Sequence, residues 1–305
     1  MNAVELRSVS KSFGDIRAVR DVTVSVRKGD MFALVGPDGA GKSTVIRMLC
    51  GILRPDGGTL TVEGYDVRRN PEEVKRRIGY LSQRFSLYGD LTVDENIEFF
   101  AEIHNVFRFK ERREELLEFT RLTPFRGRLA EQLSGGMKQK LALACTLIHT
   151  PDIIFLDEPT TGVDPVSRRD FWKVLSALLK TGITIVMTTP YLDEAERCGT
   201  VALMNEGRIM VTDTPRGLKE RMPGVVAEVV SPDVRRMSRL LRRHAEVSEV
   251  QAFGDRVNIV LPAAGALEGI VTWLRGEGIE VTDRRAVRPS LENVFISLLT
   301  GKERS

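Results

Sequence analysis

Gly36-Pro37-Asp38-Gly39-Ala40-Gly41-Lys42-Ser43-Thr44 is the stretch on which the reading of this chain turns. It follows an apolar run, Met31-Phe32-Ala33-Leu34-Val35, and leads into Val45, Ile46, Met48 and Leu49 at helical spacing. A strand, a glycine-rich turn, Lys-Ser and a helix, in that order, wrap backbone N–H groups around a chain of phosphates. Gly36, Gly39 and Gly41 permit positive φ and close backbone approach. The helix beginning near Lys42 adds the positive end of its dipole. In such a loop the lysine reaches the terminal phosphates and the Ser43 hydroxyl ligates Mg²⁺. Nothing in folding requires Lys-Ser after three spaced glycines, so a bound phosphate chain is the expectation.

Upstream of this loop the chain reads as strands. Val4-Glu5-Leu6-Arg7 and Val22-Thr23-Val24-Ser25-Val26 alternate apolar and polar, as half-buried strands do. Phe13 stands in Lys11-Ser12-Phe13-Gly14, a polar loop where a ring is either packed or free to stack on a flat ligand. Downstream, Gly51 is placed to cap the helix and Thr59-Leu60-Thr61-Val62 to form a strand. Ile78-Gly79-Tyr80-Leu81-Ser82 reads as a short strand ending in Gln83, and residues 93–148 are helix-rich with a break at Thr123-Pro124. Within them Leu133-Ser134-Gly135-Gly136-Met137 opens a helix, either as a second anion-binding N-terminus or as a plain capping turn.

Ile153-Ile154-Phe155-Leu156 is a continuous apolar run, the mark of a central parallel strand, and it ends in Asp157-Glu158. Carboxylates at the C-terminal end of such a strand lie where α/β sheets bind ligands. In phosphoryl transfer, one such carboxylate sits on the Mg²⁺ shell and the next polarises the attacking water. Pro165 follows Asp164 as a first helical residue. Residues 183–187 read as another buried strand, residues 191–197 as the start of a helix, and residues 201–204 and 208–211 as strands around Asn205-Glu206-Gly207.

Bulk properties set the frame. A chain of 305 residues, 42% hydrophobic and 29% charged, holds a large domain and a smaller one, with the composition of a soluble globular protein. A net charge of +3 gives no argument for nucleic acid. No apolar run approaches the ~18 residues that span a bilayer, and no signal segment opens the chain. Cys50, Cys145 and Cys198 are scattered in apolar contexts, which reads as buried thiols in a reducing compartment.

Taken in order, these motifs resemble an ATP-binding cassette (ABC) ATPase over roughly residues 1–220. Residues 36–44 fit its phosphate loop, Gln83 its glutamine loop and residues 133–137 its signature motif. Residues 153–158 fit its second acidic motif, and Gly162-Val163-Asp164-Pro165 the loop that crosses a dimer. The resemblance implies an α/β P-loop fold, a mixed sheet with a helical subdomain at about residues 88–150, spanning residues 1–222. It implies a head-to-tail homodimer in which Ser134, Gly135 and Gly136 of one copy close over ATP held by residues 36–44 of the other, with Asp164 at the crossing. Phe13 then stacks on adenine, Ser43, Gln83 and Asp157 organise Mg²⁺, and Lys42, Gln83 and Glu158 carry hydrolysis, Glu158 as general base. Arg84-Phe85-Ser86-Leu87-Tyr88-Gly89-Asp90-Leu91-Thr92-Val93 would meet a separate membrane permease, and this phrase is similar to that of bacterial drug-export and ABC-2-type ATPases. The expected location is the cytoplasmic face of the membrane, with no nucleic-acid partner.

Two departures from that family stand out. Pro190 occupies the place of a histidine that contacts the γ-phosphate, within Thr188-Thr189-Pro190-Tyr191. Proline offers no donor, and losing a donor aimed at developing phosphate charge costs about 10²–10³ in rate. An alternative function is therefore a hydrolysis-poor dimerisation switch, unless Thr189 or a water takes the histidine's part. Asp38 stands where asparagine is common. Soluble cassettes acting on ribosomes or DNA carry two cassettes or long helical insertions, and this chain has neither.

Past Met222-Pro223-Gly224 the order β-α-β-β-α-β is expected, with strands at 225–230, 247–253, 257–261 and 279–287 and helices at 234–244 and 267–275. It points to a small ferredoxin-like domain at residues 223–305, ending in a helix at 291–299, with a dimer-stabilising or regulatory role. Its first helix is strongly basic, with Arg235, Arg236, Arg239, Arg242 and Arg243, and reads either as a solvated face or as a surface for anionic lipid or nucleic acid.

Overall fold

Two long strands open the chain, β1 (Asn2–Phe13) and β2 (Ile16–Arg27), paired antiparallel across the turn at Gly14-Asp15. They run well past the alternating apolar stretches, because backbone pairing continues through polar residues by way of register shifts near Val9 and Lys11. Phe13 is therefore the last residue of a strand and not part of a loop. The computed structural model describes residues 1–83 and 87–303, so Arg84, Phe85 and Ser86 of the segment expected to meet a permease lie outside the described residues. The chain divides into two compact units, Met1–Thr214 and Pro215 onward.

In the first unit, β3 (Met31–Val35) leads into α1 (Lys42–Leu49), followed by β4 (Gly57–Val62), β5 (Tyr65–Asp66), α2 (Pro71–Arg77) and β6 (Ile78–Leu81). Next come the helices α3 (Val93–Ile103), α4 (Phe109–Thr120) and α5 (Gly135–Leu147). The unit closes with β7 (Ile153–Asp157), α6 (Pro165–Leu179), β8 (Thr184–Thr189), α7 (Leu192–Ala195), β9 (Thr200–Asn205) and β10 (Arg208–Asp213). One sheet is antiparallel, in the order β2-β1-β4-β5, and the other runs β10-β9-β3-β8-β7-β6. In the second sheet all neighbours are parallel except β10. Every residue of β3, β7 and β8 is buried, as expected of strands covered on both faces. Val4, Leu6, Val22 and Val24 from the hairpin share one core with Phe32, Leu34, Val45, Ile46 and Leu49.

The parallel strands end on one edge, so β3, β6, β7 and β8 deliver their following residues to a common place. Two strands end differently from expectation. β6 stops at Leu81, so Gln83 lies in a bend beyond it, and β8 continues two residues past Met187 because Thr188 and Thr189 are β-branched and pair with Leu34 and Val35 of β3. The helix expected at 191–197 reduces to α7. The segment before α3 is pinned by Asn96, fully buried, which accepts from the Tyr88 N–H and donates to the carbonyls of Tyr88, Leu91 and Thr92.

The second unit comprises α8 (Pro215–Glu220), β11 (Val225–Val230), α9 (Val234–Leu241), β12 (Glu249–Phe253), β13 (Arg256–Leu261), α10 (Ala266–Gly276), β14 (Asp283–Val287) and α11 (Leu291–Glu303). Its antiparallel sheet has the order β12-β13-β11-β14, the ferredoxin-like arrangement expected. Ala227, Val229, Val257 and Ile259 pack against Met237 and Leu241 of α9 and Ile270 and Leu274 of α10. The last strand starts at Asp283, not at Ile279: Ile279 and Val281 are buried in the core while their backbone runs outside the ladder, which begins at the Val230–Asp283 pair. Among the described residues no helix is long and apolar enough to cross a membrane.

Candidate active site

Gly36 follows β3 directly, and its need for glycine is steric. A Cβ there would lie 2.0 Å from the Met204 carbonyl oxygen on β9. The expectation of positive φ holds for Gly39 (φ 79) and Gly41 (φ 101), but Gly36 is outside the positive-φ set and is fixed by close approach alone. Gly41 meets both demands, since a Cβ would also fall 2.2 Å from the Ala18 carbonyl of β2. The loop is thus seated against β9 on one side and the hairpin on the other before α1 begins. Gly41 is the N-cap of α1 and offers no side-chain acceptor, which leaves the first N–H groups of that helix for another partner. Pro37, Asp38 and Gly39 on the rim are exposed, while Ala40 is buried and Thr44 is half-buried.

Lys42 is 3% exposed and donates to the carbonyls of Gly36 (2.9 Å) and Pro37 (3.0 Å). Its Nζ also stands 3.3 Å from Glu158 Oε1, a pair in which both side chains are buried. On its other oxygen Glu158 accepts from Gln83 Nε2 at 2.9 Å. Ser43 Oγ donates to Asp157 Oδ1 at 2.8 Å, and Thr188 Oγ1 donates to the same oxygen at 2.7 Å. Asp157 Oδ2 is buried and has no hydrogen-bond partner among the described residues. Lys42, Ser43, Gln83, Asp157 and Glu158, drawn from three separate stretches of sequence, therefore form one polar cluster, its two halves joined where Thr188 Oγ1 also accepts from the Glu158 N–H.

Glu158 sits in the left-handed region with φ 48. For a residue other than glycine this costs about 1–3 kcal/mol and persists only where the surroundings enforce it. Here the Glu158 N–H is anchored to the Thr188 carbonyl (3.2 Å) and hydroxyl (3.0 Å), so the backbone turns out of β7 and the carboxylate faces Lys42. Thr188 was not singled out by the sequence. A polar residue continuing an apolar strand beside Asp157 was the available signal.

The same holds for Glu194, which is 1% exposed. It accepts from Thr160 Oγ1 (2.6 Å) on the loop after Glu158 and from Thr189 Oγ1 (2.9 Å) at the end of β8, with Arg168 Nε of α6 at 3.6 Å. The Thr189 hydroxyl also receives the Tyr191 N–H. Thr189 is thus committed to Glu194, and the expectation that it could replace the missing histidine at Pro190 is corrected.

Ser134, Gly135 and Gly136 form a second cluster, and no hydrogen bond links them to residues 36–44 among the described residues. Ser134 Oγ caps α5 by accepting from the Met137 N–H (3.4 Å), and a Cβ on Gly136 would strike the Ser167 side chain at 2.3 Å. Asp164 caps α6, accepting from the Val166 and Ser167 N–H groups. The Ser167 side chain, with the two amides, holds its carboxyl below the usual aspartate range. Phe13 is 48% exposed, with Lys11 Nζ 5.5 Å from its ring centre, so the ring is not packed into the core. The three cysteines are buried thiols, each pushed up by burial.

The chemistry available is that of polyphosphate binding: free helix N–H groups, a buried cation, and a hydroxyl–carboxylate pair. Ser43 Oγ beside the unpartnered Asp157 Oδ2 suits a hard divalent cation, which takes oxygen ligands. Among the described residues no His, Cys, Asp and Glu cluster offers a competing metal site.

Residues 19–161 match the family model described as ABC transporter. A probable multidrug ABC transporter ATP-binding protein, YbhF of Escherichia coli K12, is 40% identical over 98% of this chain and 52% of its own length, so the chain spans about half of that relative. The daunorubicin resistance ATP-binding protein DrrA2 of Streptomyces coeruleorubidus is 38% identical over 97% of this chain and 94% of its own. Among solved structures, the dimeric bacterial ABC transporter cassette MJ0796 covers 69% of this chain and 98% of its own, with 26% identity and a TM-score of 0.62.

Proposed function

Because the chain belongs to the ABC transporter family of ATP-binding proteins, we propose that it is the ATP-hydrolysing subunit of an exporter. The observation that carries the reading is the cluster joining Lys42, Ser43, Gln83, Asp157 and Glu158. ATP would lie with its phosphates over residues 36–44, the N–H groups at the start of α1 directed at them. Lys42 would exchange Glu158 for the phosphate oxygens, and Phe13 would cover the adenine. Ser43 and Asp157, with Gln83 close by, would hold Mg²⁺. Bound there, the ion would neutralise charge on the phosphate oxygens. Glu158 would then orient a water and take its proton as the water oxygen bonds to the γ-phosphorus and the bond to the ADP oxygen breaks.

In this reading a second copy closes the site from the opposite direction, with Ser134, Gly135, Gly136 and Asp164 contributed in trans. The dimeric form of the cassette MJ0796 supports it. A separate membrane permease would carry the cargo, with the chain at the cytoplasmic membrane surface. The similarity to YbhF, a probable multidrug transporter protein, and to DrrA2, a daunorubicin resistance protein, supports export of drug-like compounds. The second unit would stabilise the dimer or regulate it.

The test is ATP turnover of the purified chain beside Glu158→Gln and Pro190→His. Turnover that disappears in Glu158→Gln supports the reading. Pro190→His restores a donor at the phosphate and should raise the rate by at least about tenfold. Native turnover equal to that of Glu158→Gln would refute hydrolysis as the function.

A further inference from the structure

The second unit carries a charged surface that nucleotide binding does not use. In α9, Met237 and Leu241 are fully buried against the sheet, while Arg235, Arg236 and Arg239 of the helix, Arg242 at its C-cap and Arg243 in the turn beyond are all exposed. At 100° per residue Arg235, Arg236, Arg239 and the C-cap Arg242 fall within an arc of about 120°, centred opposite the buried pair, and Arg243 follows in the turn. Arg236 is engaged, donating to the Glu277 carbonyl at 2.7 Å. The guanidinium groups of Arg235, Arg239, Arg242 and Arg243 make no hydrogen bond or ion pair with any described residue. Of the nearby carboxylates, Asp233 is used as the helix cap, accepting from the Arg236 N–H, Glu246 stands past the arc, and Glu249 and Glu292 line a cleft with Arg242 without an ion pair to it.

Arg239 and Arg242, in the last turn and at the C-cap of α9, complement its dipole, but four guanidinium groups without ion pairs to any described residue repel one another across that face. They do not build a site for a single anion either, since none is buried and no cleft collects them. What fits is a broad surface of many phosphates. Beside the arc Trp273 of α10 is half-buried, its ring held edge-on by His244 at 4.5 Å, and Leu240 is half-buried too. Arginines flanked by a partly exposed tryptophan and leucine suit the headgroup region of a bilayer, where indole rings settle and guanidinium groups meet lipid phosphates.

We infer that the arginine face of α9 docks directly on an anionic phospholipid surface. This goes beyond the nucleotide reading, because it assigns lipid contact to the second unit and not to a permease partner. Near an anionic leaflet each arginine contributes about 1 kcal/mol, or about fivefold in partitioning, so four give several hundredfold. The attraction falls steeply as salt shortens the Debye length.

The experiment is flotation of the full chain with vesicles of phosphatidylcholine alone or with about 30% phosphatidylglycerol. Binding is expected only to the anionic vesicles, lost at about 0.5 M salt. The quadruple variant R235Q/R239Q/R242Q/R243Q should lose it by about 10²-fold or more, while the lysine version of the same four keeps most of it. Trp172 is 3% exposed, so Trp273 dominates any fluorescence change, and its emission should shift to the blue on binding. Unchanged melting of the glutamine variant excludes unfolding as the cause. Equal binding to neutral vesicles, undiminished binding by the glutamine variant, or release from anionic vesicles by equimolar duplex DNA would each overturn the inference.

Discussion

Replacing Glu158 with glutamine should make the nucleotide-free protein less stable and its grip on ATP tighter. Lys42 is buried and its charge is balanced by two carbonyls and by Glu158 Oε1 at 3.3 Å. With an effective dielectric constant of about 20, that pair attracts by about 5 kcal/mol before desolvation is counted. The glutamine keeps shape and a carbonyl oxygen toward Lys42, so the net loss should be nearer 2 kcal/mol. For a unit of this size, that lowers the melting temperature by about 4–8 °C. Phosphate oxygens then supply what the glutamine cannot, and no carboxylate opposes them, so ATP should bind at least about tenfold more tightly. Hydrolysis should fall by about 10²–10⁴ with the base removed. Thermal melting with and without ATP–Mg²⁺, beside a turnover assay, measures all three. A variant that melts like the native protein without nucleotide, and gains no more than it from ATP, would refute the idea that Glu158 neutralises Lys42 until phosphate arrives.

Three further outcomes follow from other parts of the structure. Gly36→Ala would force Met204 or the loop back by about 1 Å, which should weaken nucleotide binding by about 10²-fold; Gly39→Ala meets no atom and incurs only the φ penalty of about 1–2 kcal/mol, so binding titrations should rank Gly36→Ala as the worse. Glu194→Gln disturbs Thr160 and Thr189 but no phosphate-facing group, so kcat should drop severalfold while nucleotide affinity holds; an equal loss in both would show that Glu194 acts only through stability. His149, stacked on His104 at 3.9 Å, has its pKa lowered from 6.5 to about 4 by burial and then by the His104 charge. The unfolded chain takes up that proton first, so stability present above pH 6.5 should be lost as pH falls toward 4, by about 2–3 kcal/mol in all. His149→Gln should flatten that slope in urea titrations.

Much of the architecture was readable because each signal was local. Continuous apolar runs marked β3 and β7, whose burial on both faces favours apolar side chains up to Asp157 at the end of β7. Asp164-Pro165 announced α6, since the cap and the first helical residue are neighbours in sequence. The strand order β-α-β-β-α-β in the second unit followed from alternation and turns in the same way. Errors fell where non-local pairing decides: the extension of β1 and β2 through polar residues, and the start of the last strand at Asp283.

Residues 36–44 on their own led to the expectation of a bound phosphate chain, since spaced glycines followed by Lys-Ser have no other local purpose. They also determined where the helix dipole points. The sequence could not tell why Gly36 must be glycine, because the obstructing carbonyl belongs to Met204. Nor could it tell that Lys42 rests on Glu158, that Thr188 turns Glu158 into its left-handed conformation, or that Thr189 is bound to Glu194. These are contacts between residues 5 to 168 positions apart, and only the parallel order of β3, β8 and β7 brings their ends to one edge of the sheet.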